Sequence, residues 1–167
     1  ILVSCFKKLL RQETDFLYEI IIIDSESQDG SIDSLRKISA KSRIPIKIIQ
    51  ISQKCFNHGA TRNEAIKESV GEIIALLTQD SIPTNNHWVK NIIKAFIKYP
   101  DIVGLFGKHV AHRHHPEIIH RDLELHFNYM ASLSVRTIKD HSDYSTNTQK
   151  RQLLHFFSNN NAAILRK

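Results

Sequence analysis

Two aspartates follow apolar runs that are typical of buried strands, and their positions suggest a ligand site. Asp24 ends the run 20–23, and Asp80 comes three residues after the run 73–77. Neither run has a polar face, which is typical of strands covered by helices on both sides of a parallel sheet. In such sheets ligands bind at the carboxyl ends of the strands. A carboxylate there can hold a divalent cation, and the cation can hold a diphosphate.

The segment between the two aspartates contains neither a glycine-rich dinucleotide fingerprint nor a P-loop lysine. A nucleotide would therefore be held in another way, with one carboxylate on the base or ribose and the other on a metal ion that neutralises the diphosphate. Arg62, in the first turn of a predicted helix that follows Gly59, adds a cation and exposed N–H donors, both suited to a phosphate.

Strand and helix patterns alternate over residues 1–110. This alternation predicts βαβ units, right-handed crossovers and a parallel sheet. The first pattern is a helix rather than a strand, because apolar residues recur at helical spacing at Leu2, Cys5, Phe6 and Leu9. A chain of this type should open with a strand, so we expect the sheet to lack its first strand.

Helix positions and helix ends have their own signals. The clearest helical period places on one face Val89, Ile92, Ile93 and Phe96. Ser31 and Thr61 can each accept hydrogen bonds from the first backbone amides of a helix, so both are predicted as N-caps. Gly71 stands where a left-handed C-cap belongs, directly before the run that leads to Asp80.

The second half of the chain is patterned less clearly. Gly104 and Gly107 interrupt the strand pattern of residues 102–110, where a neighbouring group should approach the backbone closely. The polar stretch 134–152 predicts a mobile loop. The last pattern, 153–165, predicts a strand and a turn at the edge of a sheet.

At 167 residues, with 41% apolar and 24% charged residues, the chain has the composition of one ordinary globular domain. No apolar run approaches the roughly 18 residues of a membrane span. Cys5 and Cys55 form no CxxC pair, which favours a reducing compartment over a disulfide framework. The net charge of +6 comes from basic residues scattered among acidic ones, so we expect no nucleic-acid partner. Nucleic-acid binding would instead show steep salt dependence and indifference to Asp80.

Two long segments carry a resemblance to a known family. Residues 19–31, EIIIIDSESQDGS, and residues 56–83, FNHGATRNEAIKESVGEIIALLTQDSIP, resemble segments of the family-2 inverting glycosyltransferases. The TQD form of the second segment, with the later stretches HRDLELHF and FFSNNNAAILRK, resembles the rhamnosyltransferase branch in particular. The resemblance covers nearly the whole chain.

This resemblance implies a fold and a division of the chain. The fold is α/β, the GT-A or nucleotide-diphospho-sugar transferase fold, a Rossmann-like sandwich with a mainly parallel central sheet. Residues 1–167 would form a single partial domain, with nucleotide-binding βα units over 1–110 and an acceptor-side segment over 111–167. The family's first strand would precede Ile1, and its general base would lie beyond Lys167. We therefore expect a chain truncated at both ends, with its catalytic base unknown.

The resemblance also implies roles for individual residues. Asp24 would contact the nucleotide base, and Asp80 would be the metal- and diphosphate-side carboxylate of a DXD-type motif. The implied metal ion is Mg²⁺ or Mn²⁺, held by Asp80. The residues implied at the donor are Asp24, Ser25, Ser27, Gly59, Arg62 and Asp80.

Two residues depart from the family's pattern. Thr78 stands where a full DXD motif has its first aspartate, which leaves Asp80 as the motif's single carboxylate. Glu26 stands where the family usually has glycine, which adds negative charge beside the expected diphosphate.

The function implied is metal-assisted transfer of a sugar, rhamnose in this branch, with inversion, from a nucleotide-sugar donor to a polysaccharide or lipid-linked acceptor. The donor would be dTDP-rhamnose or a UDP-sugar. We expect a cytoplasmic enzyme associated with the inner face of the plasma membrane, where its basic charge suits a phosphate-bearing lipid. The alternative is a truncated, inactive glycosyltransferase fragment that at most binds nucleotide.

Each candidate residue also has a purely structural interpretation. Strand-end aspartates often cap turns, so Asp24 and Asp80 taken alone do not decide between structure and function. Arg62 can pair with a glutamate of its own helix. The histidines of the run HVAHRHH, residues 109–115, lack the ordered spacing of a zinc site and favour a basic loop at the rim of the acceptor side.

Overall fold

The computed structural model of the chain describes residues 1–133, 136, 148, 151 and 156–166. The predicted mobile loop, 134–152, therefore lies outside the described residues except for three single positions. In chain order the elements are α1 (Leu2–Leu9), β1 (Ile20–Asp24), α2 (Ser31–Ser39), β2 (Ile46–Gln50), a 3₁₀ turn (Gln53–Cys55), α3 (His58–Glu68), β3 (Ile73–Leu77), α4 (Trp88–Lys98), β4 (Gly104–Phe106), α5 (Glu117–Ser132) and β5 (Asn161–Leu165).

Strands β1 and β2 form a parallel pair joined by α2, as the alternation of patterns predicted. Their register runs from the pair Ile20–Ile46 to the pair Asp24–Gln50. The buried cluster beneath them contains Phe6, Ile20, Ile32 and Leu35. This cluster joins α1, α2 and β1, and it therefore fixes the strand that ends in Asp24.

Strands β3, β5 and β4 form a second sheet in that order, with β5 antiparallel to both neighbours. The prediction of an edge strand at the end of the chain is wrong, because β5 is central. Ala162 and Ala163 of β5 are 1% and 0% exposed, and Ile92 and Phe96 of α4 pack with Ala163 in a buried cluster. The local pattern does not reveal this burial of β5 under α4.

Parallel strands occur in both sheets. Strands β3 and β4 are parallel to each other, since both are antiparallel to β5. Glu19, just before β1, accepts at its Oε1 a hydrogen bond of 2.7 Å from Val70 N, three residues before β3, and both strands line the same cleft. The predicted α/β fold is confirmed, with the difference that the sheet is divided in two and β5 is reversed.

A cleft of about 1390 Å³ separates β1 from β3. The two strands do not pair with each other within the described residues. Residues of α1, α3 and α4 complete the walls. Several apolar side chains that line the cleft are exposed, namely Phe16, Leu17, Val70 and Ile97. The absence of a first strand stays a prediction.

Asn57, rather than Thr61, caps α3. Its Oδ1 accepts hydrogen bonds from Gly59 N at 3.1 Å and Ala60 N at 3.0 Å. Thr61 Oγ1 accepts a hydrogen bond from Asn57 N at 3.2 Å. Both residue types favour helix N-termini, so the sequence alone located the helix start within a turn but did not select the cap.

Two other predicted helix ends also differ. The N-cap of α2 is Gly30, whose φ of 74° lies in the left-handed region, and Ser31 is the first helical residue. Helix α3 ends in an extended Ser69, with φ −87° and ψ 155°, so Gly71 does not serve as its left-handed C-cap. The close approaches predicted at Gly104 and Gly107 are confirmed. A Cβ at Gly104 would lie 3.1 Å from the Phe157 ring, and a Cβ at Gly107 would collide with the Asn161 side chain.

The two cysteines should differ sharply in reactivity. Cys5 is buried and Cys55 is exposed, and neither forms a disulfide. Burial, together with the nearby charge of Asp80, raises the pKa of Cys5 to about 11. Because the thiolate is the reactive form, we expect iodoacetamide at about pH 8 to modify Cys55 and to spare Cys5 until the chain unfolds. Peptide mass spectrometry measures this, and equal modification of both in the native chain would contradict the buried position.

Candidate functional site

The cleft between β1 and β3 is lined by most of the residues that the sequence singled out. Asp24 is the last residue of β1, and Asp80 lies in the turn after β3. Both carboxylates line the cleft between these two strands. Ser25, Ser27 and Arg62 line the cleft as well.

Asp24 is buried, with 6% of its surface exposed. Its Oδ2 accepts hydrogen bonds from Ser27 N at 3.1 Å and from Gln50 Nε2 at 3.4 Å. Gln50 is held in turn by Arg36, which donates to its Oε1 at 2.7 Å. Within the described residues Asp24 Oδ1 makes no hydrogen bond. Asp24 therefore caps the turn after β1 with one oxygen and leaves the other for a ligand.

Asp80 lies on an exposed turn closed by a hydrogen bond of 3.1 Å from Ser81 N to Thr78 O. Thr78 Oγ1 donates a hydrogen bond to Asp80 Oδ1. The side-chain amide of Asn160 lies against the hydroxyls of Thr78 and Ser81, and His112 Nε2 lies 3.4 Å from the backbone oxygen of Asp80. Sequence patterns did not predict these neighbours, since Asn160 and His112 arrive from distant segments.

The groups around Asp80 can be tested against the needs of a divalent cation. Mg²⁺ and Mn²⁺ prefer oxygen ligands, and Mg²⁺ commonly combines one or two carboxylates with waters and substrate phosphates. The turn offers the Asp80 carboxylate, the hydroxyls of Thr78 and Ser81, and the amide of Asn160. No group of three or more His, Cys, Asp and Glu side chains able to hold a metal ion occurs among the described residues. The donor set fits a hard cation shared with a diphosphate, not a closed protein cage.

Comparison with known proteins identifies the family. The whole chain, residues 1–167, matches the family described as glycosyl transferase family 2. The chain belongs to glycosyl transferase family 2. It is 30% identical over 133 residues to the O-antigen chain rhamnosyltransferase RfbN of Salmonella typhimurium. These 133 residues are 78% of this chain and 40% of the relative. It is also 30% identical over 158 residues to the O-antigen chain rhamnosyltransferase WbaN of Salmonella anatum, covering 93% of this chain and 45% of the relative. The chain thus spans less than half the length of either relative.

Arg62 is an available cation in this family-2 site. Its guanidinium donates a hydrogen bond to the backbone oxygen of His58 at 3.1 Å. The glutamates of α3 that were alternative partners lie instead against lysines, in the pairs Glu64–Lys67 and Glu68–Lys47. No carboxylate pairs with Arg62 in the part of the chain that the structure describes, so its charge can face an anionic ligand.

The backbone N–H groups at the start of α3 were expected to be free to bind a phosphate, and the structure differs from this expectation. Gly59 is not among the residues that line the cleft. Its amide and that of Ala60 donate to Asn57 Oδ1, so neither is free for a phosphate. Arg62 lies in the second turn of the helix rather than the first. In this family-2 chain the contribution of α3 to the site is a side chain, while a role for Gly59 at the donor stays a prediction.

Glu26, which departs from the family's glycine, takes a left-handed backbone conformation and directs its carboxylate at the 3₁₀ turn. Its backbone φ of 59° is left-handed, a conformation that costs a non-glycine residue about 1–2 kcal/mol. The cost explains why the family's glycine suits this position. Glu26 Oε2 accepts a hydrogen bond from Gln53 N at 3.1 Å, so the carboxylate is directed at the 3₁₀ turn.

The histidine loop lies beside the Asp80 turn of the family-2 site. The rings of His112, His114 and His115 lie with their centroids 4.8–5.6 Å apart. Partial burial, followed by the charges of the neighbouring histidines, lowers the pKa of His115. The predicted basic loop is therefore less basic at His115 than its composition suggests. In the described part of the chain, no helix combines the length and apolar character of a membrane span.

Proposed function

We propose that this family-2 chain takes part in the transfer of rhamnose, with inversion, from dTDP-rhamnose to a saccharide acceptor. The proposal rests on the presence of both Asp24 and Asp80 in the lining of one cleft. Further support comes from the two relatives, both named O-antigen chain rhamnosyltransferases.

The residues of the cleft have complementary roles in this proposal. Asp24 Oδ1 accepts a hydrogen bond from the base or ribose, beside the hydroxyls of Ser25 and Ser27. Arg62, which no carboxylate pairs with in the described part of the chain, stabilises the diphosphate. Both contacts hold the donor so that its anomeric carbon lies open to the acceptor.

Asp80 would hold Mg²⁺ or Mn²⁺, with the hydroxyls of Thr78 and Ser81 and the Asn160 amide nearby. When bound, the cation neutralises the charge that develops on the diphosphate as it leaves. An inverting transfer also needs a general base that deprotonates the attacking acceptor hydroxyl. No residue of the described chain is assigned this role.

A transfer assay tests the proposal. The chain is incubated with dTDP-rhamnose, Mn²⁺ and an O-antigen oligosaccharide, and release of dTDP is followed. Release that requires both the saccharide and the cation, with UDP-glucose as the comparison donor, supports rhamnosyl transfer. Equal release of nucleotide from dTDP-rhamnose and UDP-glucose would contradict the choice of rhamnose. Absence of binding by both donors would contradict the proposed site.

A second candidate function is nucleotide binding without transfer. One observation favours it: β1 and β3 belong to two separate sheets within the described residues, so the sheet is divided beside the cleft. Calorimetry with dTDP or UDP plus Mn²⁺, beside the transfer assay, separates the two functions. Binding without turnover favours the second.

We also propose that the protein works in the cytoplasm at the inner face of the plasma membrane. Its net charge of +6 suits anionic lipid and a phosphate-bearing lipid-linked acceptor. Sedimentation with anionic vesicles that weakens as salt is raised would support this location, and equal sedimentation with neutral vesicles would contradict it.

Replacing Asp24 by asparagine should separate its two roles. The amide oxygen still accepts the hydrogen bond from Ser27 N, so the stability should change by less than about 1 kcal/mol. Loss of the charged acceptor should weaken dTDP binding about tenfold or more. The comparison variant Asp24→Ala loses both roles and should also lose about 1–3 kcal/mol of stability. Calorimetry and urea unfolding measure these effects, and unchanged affinity in Asp24→Asn would exclude the ligand role.

A further inference from the structure

The antiparallel pairing of β3 and β5 places Asn160 opposite Thr78. The ladder ends with the pair Leu77–Asn161, and the next pair in the same register is Thr78 with Asn160. Opposite residues of an antiparallel pair project their side chains to the same face. The amide of Asn160 accordingly lies within hydrogen-bond distance of Thr78 Oγ1 and Ser81 Oγ.

The number of available protons decides how these groups are arranged. Thr78 Oγ1 lies within hydrogen-bond distance of both Asp80 Oδ1 and the Asn160 amide. A threonine hydroxyl has one proton to donate, while a carboxylate oxygen only accepts. If the amide oxygen of Asn160 faces Thr78, one of these two contacts has no proton.

Turning the amide by half a rotation exchanges its oxygen and nitrogen and resolves this conflict. The NH₂ group of Asn160 then donates one hydrogen bond to Thr78 Oγ1 and one to Ser81 Oγ. Thr78 is left free to donate its single proton to Asp80 Oδ1. Every contact in the group now has one donor and one acceptor.

We propose that Asn160 and Thr78 are positioning residues for Asp80. Hydrogen bonds run from the Asn160 NH₂ through the Thr78 hydroxyl to Asp80 Oδ1, and they hold the carboxylate in one rotational state. Asp80 Oδ2 makes no hydrogen bond within the described residues and stays available at the cleft. This role rests on the proposed function, in which Asp80 serves the metal and diphosphate side of the donor.

The arrangement is useful because Asp80 lies on an exposed turn. A freely rotating side chain there would lose conformational entropy when it binds a ligand, and this loss would weaken binding. Thr78 avoids the loss without adding a second negative charge to the turn. The Thr78 hydroxyl therefore orients the Asp80 carboxylate by a hydrogen bond. An aspartate at position 78 would instead repel that carboxylate.

Calorimetry of dTDP binding in the presence of Mn²⁺ tests the role of the hydroxyl. Thr78→Val keeps the shape of the side chain and removes its proton, so we expect affinity about tenfold lower. Thr78→Ser keeps the hydroxyl and should bind within about threefold of the unchanged chain. Affinity in Thr78→Val equal to that in Thr78→Ser would overturn the proposal.

Asn160→Asp tests the amide, because it preserves the shape but replaces both donors with acceptors. We expect a loss of affinity of about tenfold, similar to that of Thr78→Val. The matched control is Asn159→Asp, which adds the same charge one residue away at an exposed position of the same turn. Equal losses in the two aspartate variants would indicate a general charge effect and would overturn the positioning role.

A second measurement requires no ligand. In the chain labelled with ¹⁵N-asparagine, the NH₂ signal of Asn160 is the one that disappears in Asn160→Asp. We expect its protons to exchange with water more slowly than those of Asn159, and faster in Thr78→Val than in the unchanged chain. Exchange as fast as that of Asn159 would show that the NH₂ group is not engaged and would overturn the assignment.

The two levels of the argument fail in different ways. If the unchanged chain does not bind dTDP with Mn²⁺, the proposed function fails, and with it the purpose of the positioning contacts. If the unchanged chain binds and the Thr78 and Asn160 variants bind equally well, the proposed function stands and the positioning role alone is overturned.

Discussion

Replacing Asp80 by alanine should abolish Mn²⁺-dependent binding of the nucleotide donor and reduce sugar transfer at least about a hundredfold. Asp80 is the carboxylate of the turn after β3, and the hydroxyls and amide around it are neutral. Without its charge, these groups are weak ligands for a divalent cation beside a diphosphate. Calorimetry with dTDP and Mn²⁺, and the transfer assay with dTDP-rhamnose, measure the two effects.

The same substitution should leave the fold nearly unchanged. Asp80 is exposed, so the free energy of unfolding should change by less than about 0.5 kcal/mol. Asp101→Ala serves as the matched control, because Asp101 is also exposed but does not line the cleft, and it should bind dTDP normally. Metal-dependent binding that persists in Asp80→Ala would remove this carboxylate from the mechanism.

Leu35→Ala should produce the largest loss of stability. Leu35 is 0% exposed and packs with Phe6, Ile20 and Ile32. Removing most of its side chain should cost about 2–5 kcal/mol, through lost burial and the cavity left behind. That is a large fraction of the roughly 5–15 kcal/mol of a typical domain. Urea unfolding gives the value directly, and dTDP binding should fall as the unfolded fraction rises, because this cluster supports the strand that carries Asp24.

An exposed leucine provides the control for this effect. Leu125 of α5 is 62% exposed, so Leu125→Ala should change stability by less than about 0.5 kcal/mol. Similar losses in the two variants would mean that the cluster around Leu35 does not support the fold as described.

Local periodicity predicted the main elements well. The uniformly apolar runs became β1 and β3, although their residues are mostly only partly buried and not covered on both faces as predicted. The helical period of residues 89–96 became α4, with Val89, Ile92 and Phe96 buried. These strands and this helix depend on residues that are near one another in the sequence, so they can be predicted from local periodicity.

The errors arose where two choices are locally equivalent. Asn57 and Thr61 are both good caps by residue type, and only the structure shows that the Asn57 side chain accepts from the first amides of the helix. The position of β5 at the centre of its sheet depends on packing of Ala163 under α4. The left-handed backbone of Glu26 could not be inferred from a glutamate, because that conformation favours glycine.

The sequence by itself determined that Asp24 and Asp80 end or follow buried strands, and it carried the segments that mark the family. The tertiary structure decided what those carboxylates meet. Asp24 is held by Gln50 from the neighbouring strand, and the Asp80 turn is held by Asn160, which lies 82 residues from Thr78 in the chain. Strand pairing sets such contacts, because register depends on how whole sheets and helices pack and not on the order of nearby residues.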